Sequence, residues 1–109
     1  MKKSVVTAVT CLTWAGMLSV ASAADADTLA RGKALFTGKA VPACAVCHTL
    51  ADAGAEGSIG PDLDELKPEK SRILKALKEG MGAMPSFAAS LSDEDRDAVA
   101  DYVVSATGG

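Results

Sequence analysis

Residues 44–48 read Cys-Ala-Val-Cys-His, and no other stretch of the 109-residue chain restricts its fold as strongly. On a helical turn, side chains three apart share one face, so both sulfurs point the same way. His48 follows directly, free to turn its ring beneath whatever the sulfurs hold. Three chemistries use such a cluster. A thioredoxin-like dithiol needs a strand–helix–strand frame, and no period-two apolar alternation supplies strands. A structural zinc site needs about four ligands. His48 is the only histidine in the chain, so zinc would have to recruit carboxylates. The third chemistry uses all three residues. Cys-x-x-Cys-His is the attachment pattern for c-type haem, two thioether links to the porphyrin plus one axial imidazole.

A six-coordinate haem for electron transfer commonly pairs histidine with methionine. Beyond the first 23 residues the chain holds two methionines, in Gly80-Met81-Gly82-Ala83-Met84-Pro85. Met84 is favoured as the second ligand. Pro85 drives it out of helical geometry into an extended strap, and Gly80 and Gly82 allow the tight turn before it. Met81 is the fallback. A neutral, soft thioether favours reduced iron and raises the potential relative to two histidines.

The first residues read as a secretory leader. Met1-Lys2-Lys3 forms a basic start, an apolar run extends from Val5 to about Val20, and Ala21-Ser22-Ala23 provides a small-x-small cleavage site. Residues 1–23 are expected to be the signal peptide and 24–109 the single folded domain. The alternative is an uncleaved anchor, but five Ser and Thr residues dilute the run. Cys11 lies inside it, after Thr10, a poor context for lipid attachment. Cleavage removes two of the 11 basic residues and none of the 14 acidic ones, taking the net charge from −3 to −5. An acidic protein does not suit nucleic acid. Only Phe36, Phe87 and Tyr102 then remain as aromatics. A core so thin calls for a cofactor to complete its burial.

The rest of the domain reads as all-α. The first helix runs from about Asp27 to Phe36, capped by Asp27 or Thr28, with Leu29, Gly32 and Phe36 on one face. Gly32 costs about 1 kcal/mol against alanine inside a helix, which predicts a close neighbour. A haem-binding turn follows Pro42, then a loop over about 49–66. The second helix extends from Pro68 to Gly80 with Ile73, Leu74 and Leu77 as its apolar stripe. The last begins at Ser92, where Ser92-Asp93-Glu94-Asp95 resembles a capping box. It carries Val99, Tyr102, Val103 and Ala106 at helical spacing, facing the first helix.

With these residues placed, residues 27–106 resemble a small bacterial class I cytochrome c. The haem motif near the N-terminus separates that family from the four-helix cytochromes c′. Gly32 and Phe36 are similar to its Gly-x-x-x-aromatic pattern, and Val99 and Tyr102 to its apolar-x-x-Tyr pattern. The resemblance implies three main helices and a haem-attachment turn wrapped around one haem. Gly60-Pro61-Asp62-Leu63 resembles the family's Gly-Pro-x-Leu segment, which implies that the Pro61 carbonyl holds the His48 ring. Met84-Pro85 matches its methionine-ligand segment. Thirty-six residues separate His48 from Met84, a short span that implies an open propionate edge.

The expected function is one-electron carriage in the periplasm by a haem c cycling between Fe(II) and Fe(III), with no substrate bond made or broken. The site residues are Cys44, Cys47, His48 and Met84, with Pro61 in support. The expected partners are redox proteins docking transiently at the haem edge near Ala45, Val46 and the Met81–Ala83 loop, with no membrane contact after cleavage. The alternative is a haem subunit dedicated to a periplasmic oxidoreductase such as a dehydrogenase. A gas sensor is a third class, and it requires an open iron position. Two charge runs read as solvated helix faces or as steering surfaces: Lys67, Lys70, Arg72, Lys75 and Lys78, and Asp93, Glu94, Asp95, Asp97 and Asp101.

Overall fold

The computed structural model describes residues 8–11, 16 and 25–108. The expected leader lies almost wholly outside them, as does its cleavage site. Cys11 is exposed. Among the described residues no helix is long and apolar enough to cross a membrane.

Among the described residues there are five α-helices: α1 Ala26–Ala34, α2 Cys44–Cys47, α3 Leu63–Leu66, α4 Lys70–Glu79 and α5 Asp93–Thr107. The three longest are those expected from the periodicity, with shifted ends. Asp25, not Asp27 or Thr28, caps α1. Its carboxylate accepts from the Thr28 amide at 2.7 Å. That amide belongs to the third helical residue, the donor that a cap serves. At its other end α1 widens into a π-helical turn, Leu35–Lys39, which buries both Leu35 and Phe36.

The second long helix starts at Lys70 rather than at Pro68. The short α3 ends in a left-handed Lys67, so Pro68 closes that helix instead of opening the next. The region read as a loop also contains a small hairpin. Strands β1 (Thr49–Leu50) and β2 (Ala55–Glu56) pair antiparallel, Thr49 opposite Glu56. Strands this short carry no readable alternation, and here the pairing tucks Leu50 and Ala55 into the core.

Helices α1 and α5 form the frame. A Cβ on Gly32 would stand 2.1 Å from the Ala98 carbonyl oxygen and 2.6 Å from Tyr102 Cβ. Only a residue without a side chain permits that approach, which is the close neighbour expected from the helix-interior glycine. The contact brings the Phe36 and Tyr102 rings edge to face, 5.9 Å between centroids and 65° between planes. Ion pairs close the rim: Arg31 to Asp95 at 2.6 Å, and Lys70 of α4 to Asp97 and Asp101 of α5 at 2.9 and 2.8 Å. Ser92 caps α5 by accepting from the Asp95 amide at 3.1 Å. The Asp95 carboxylate pairs with Arg31, so the box is used on one side.

Candidate functional site

A cavity of about 340 Å³ opens between α2, α4, α5 and the 80–87 segment. Cys44, Cys47 and His48 line it, as do Met81, Met84 and Phe87. The rest is mainly apolar, with Phe36, Leu63, Ile73, Leu77, Val99 and Val103 among the lining residues.

Cys44 and Cys47 are the two ends of α2, one turn apart on a shared face. Neither forms a disulfide. Burial pushes the Cys44 thiol up to about 11. His48 terminates the helix in extended geometry, which swings its ring away from the helix axis. His48 Nδ1 stands 2.8 Å from the Pro61 carbonyl oxygen. A carbonyl only accepts, so Nδ1 carries the proton and Nε2 keeps its lone pair. That is the tautomer a metal-ligating imidazole needs. Gly60 makes room for the ring: a Cβ there would lie 2.6 Å from His48 Cε1. The Gly60 amide also donates to the Cys47 carbonyl at 2.7 Å, tying the Gly-Pro segment to the motif.

Met81 and Met84 bracket a two-residue turn. The Met81 amide donates to the Met84 carbonyl at 3.0 Å and the Met84 amide to the Met81 carbonyl at 2.8 Å. Gly82 has φ +55° and Ala83 does not share its positive sign, the pattern of a type II′ turn. Both methionines line the cavity, but Met81 is 65% exposed whereas Met84 packs against the core. The strap beyond is pinned to α4, with Ser86 Oγ donating to the Lys78 carbonyl at 2.6 Å and the Phe87 amide to the Leu77 carbonyl at 2.7 Å.

Three features were not read from the sequence. Arg72 is the only lining residue with a permanent charge. It has no ion-pair partner among the described residues. Tyr102 donates to Asp52 at 2.6 Å, linking α5 to the turn after β1. Arg96 is buried on α5, its guanidinium donating to carbonyls of residues 87–91. Only Arg96 left a signal, since it precedes Val99 by three and Val103 by seven and so lies on the apolar stripe.

The arrangement suits one group: a flat, mainly apolar macrocycle attached at one edge by two sulfurs, with an imidazole and a thioether at hand. The family Cytochrome C oxidase, cbb3-type, subunit III matches residues 27–103. The crystal structure of the c-type cytochrome SorU from Sinorhizobium meliloti superposes with a TM-score of 0.74 at 48% identity, covering 77% of this chain and 95% of that one. The chain belongs to the class I c-type cytochromes. Cytochrome c6 of Synechocystis sp. is 36% identical over 97 residues, 82% of this chain and 74% of the relative. Cytochrome c6 of Cladophora glomerata is 36% identical over 85 residues, 72% of this chain and 89% of the relative. As a member of this family the protein carries one covalent haem c on Cys44 and Cys47. It is an electron carrier and not an enzyme. The cavity and its two thiols fit that cofactor.

Proposed function

We propose that the chain is exported to the periplasm, loses residues 1–23, and works there as a one-electron carrier with His48 and Met84 as axial ligands. The observation that carries the ligand assignment is the hydrogen bond from His48 Nδ1 to Pro61, beside a cavity that Met84 also lines. The bond orients the imidazole, leaves Nε2 as the ligating atom and raises its basicity. Met84 supplies the soft sixth ligand, and the turn at Gly82 with the pins at Ser86 and Phe87 holds it in place.

The bound haem supplies an Fe(II)/Fe(III) couple. The protein supplies a low-dielectric pocket and a docking edge, and His48 and Met84 would hold the iron on both sides and leave no position for substrate chemistry. Arg72, the charged side chain among the cavity's lining residues, would offer a cation to a carboxylate of the bound haem. The basic start, apolar run and Ala21-Ser22-Ala23 site support export. Val46 and Met81 are exposed apolar groups next to the attachment motif and the strap, suited to brief contact with a redox partner.

The test is spectroscopic. A pyridine haemochrome spectrum typical of haem c is expected from the exported protein. The oxidised protein is expected to show a methionine–iron charge-transfer band at the red end of the spectrum. Met84→Ala loses that band and Met81→Ala keeps it. The reverse pattern would reassign the ligand, and a wild-type protein without the band would point to an open iron position.

The matched family is described by an oxidase subunit, which favours a second reading: a haem subunit held in an oxidoreductase complex. Migration of the native protein alone on gel filtration supports the free carrier. Co-migration with a catalytic subunit supports the complex.

A further inference from the structure

We propose that Arg96 is a positioning residue for the Met84 strap, clamping residues 87–91 onto α5 and thereby setting how readily the methionine leaves the iron. The inference rests on Met84 being the sixth ligand. Arg96 is 8% exposed, an unusual place for an arginine. Its Nη1 donates to the carbonyls of Phe87 at 3.4 Å and Ala88 at 3.2 Å, and to that of Leu91. Its Nη2 meets the Asp93 carboxylate, which lies at the surface.

The segment it serves is irregular backbone between the strap and α5. Within it the Leu91 amide donates to the Phe87 carbonyl at 3.0 Å, and the carbonyl of buried Leu91 is left to a donor from elsewhere, which Arg96 supplies. The guanidinium of Arg96 shares the two protons of Nη1 among the carbonyls of Phe87, Ala88 and Leu91, while its Nη2 turns to Asp93. Its own charge is compensated by those carbonyl dipoles and by Asp93, so burial is tolerated. Phe87 is the hinge of the arrangement. Its amide is held by the Leu77 carbonyl of α4, its carbonyl accepts from the Leu91 amide at 3.0 Å with Arg96 of α5 beyond at 3.4 Å, and its ring lines the cavity three residues beyond Met84. The strap is therefore pinned from both helices, and only one pin is a side chain of α5. A methionine held this way leaves the iron only when the strap lifts. Loss of the α5 pin favours the lifted state.

Imidazole added to the oxidised holoprotein competes with Met84 and reports the lifted population directly. For Arg96→Met, which keeps volume and removes the donors, the apparent imidazole affinity is expected to rise about tenfold, the scale of losing a hydrogen bond from a charged group. Arg96→Lys restores part of the effect. Asp93→Asn, a surface change that frees one side of the guanidinium, moves affinity the same way by less. In each variant the charge-transfer band is expected to disappear at lower urea than the helical circular dichroism. Should Arg96→Met fail to fold, Arg96→Lys and Asp93→Asn carry the test. Wild-type imidazole affinity in the folded variants, with band and helix lost together, would overturn the clamp. Retention of the band in Met84→Ala would instead overturn the ligand assignment, a separate result.

Discussion

At the scale of single residues, the site depends on how closely backbone approaches the His48 ring. Gly60→Ala would place a methyl 2.6 Å from His48 Cε1. The ring must tilt, and the bond to Pro61 lengthens. The expected result is weaker haem retention and a lower reduction potential, measured by haem-to-protein ratio and by voltammetry against wild type. A second single-residue effect depends on pH. The Tyr102 hydroxyl holds the Asp52 carboxyl below its ordinary value, with Lys33 adding to the effect. A carboxyl depressed in the folded state stabilises above its unfolded pKa of about 4 and ceases to do so as pH falls through the folded value. Wild type should therefore lose melting temperature more steeply below pH 4 than Asp52→Asn, while exceeding it at pH 7. Tyr102 behaves oppositely. Burial, then Asp52, raises its pKa, so its contribution persists at neutral pH and is lost only in strong alkali.

Among elements, the crossing of α1 and α5 carries the frame, and Gly32 is its closest point. Gly32→Ala gains helix propensity of about 1 kcal/mol. The new Cβ overlaps the Ala98 carbonyl and Tyr102. Overpacking typically costs about 1–3 kcal/mol and here meets backbone, which cannot yield as a side chain does. The net effect should be destabilising, read as a lower urea midpoint with unchanged slope. Ser92→Ala removes the α5 cap and should cost about 1 kcal/mol in the same assay. It leaves the Arg31–Asp95 pair in place, since that pair uses the carboxylate and not the amide.

At the scale of the whole molecule, the cofactor is part of the core. The cavity is lined by Phe36, Leu77, Phe87, Val99 and Val103, all buried residues of the core. A Cys44→Ala, Cys47→Ala double variant should lose much of its helical circular dichroism unless haem is supplied, since so small a chain gains little from its remaining apolar contacts. Charge also looks different once folded. The acidic run of α5 is largely engaged within the chain: Asp93 with Arg96, Asp95 with Arg31, and Asp97 and Asp101 with Lys70. Arg72, Lys75 and Lys78 on α4 have no ion-pair partner among the described residues. Steering of a redox partner, where it occurs, should then follow α4. Lys75→Glu and Lys78→Glu should change the salt dependence of partner reduction, whereas Asp97→Asn should leave its slope close to wild type.

Five residues, Cys44 to His48, determined the cofactor and its covalent attachment, because that chemistry is local and spans one helical turn. Helix capping at Ser92, the turn through Gly82 and the tight approach at Gly32 were legible for the same reason: each depends on a residue type at a short spacing. The cap at Asp25 and the exit at Lys67 were less so, since several acids and turn residues compete within a few positions and packing chooses among them. Tertiary structure alone set the 2.8 Å between His48 Nδ1 and the Pro61 carbonyl, and decided that Arg72 lines the cavity, that Tyr102 reaches Asp52 fifty residues away, and that Arg96 lies under the methionine strap. Those contacts join segments far apart in the chain. Local pattern carries no record of which distant backbone groups will need a donor once the core closes.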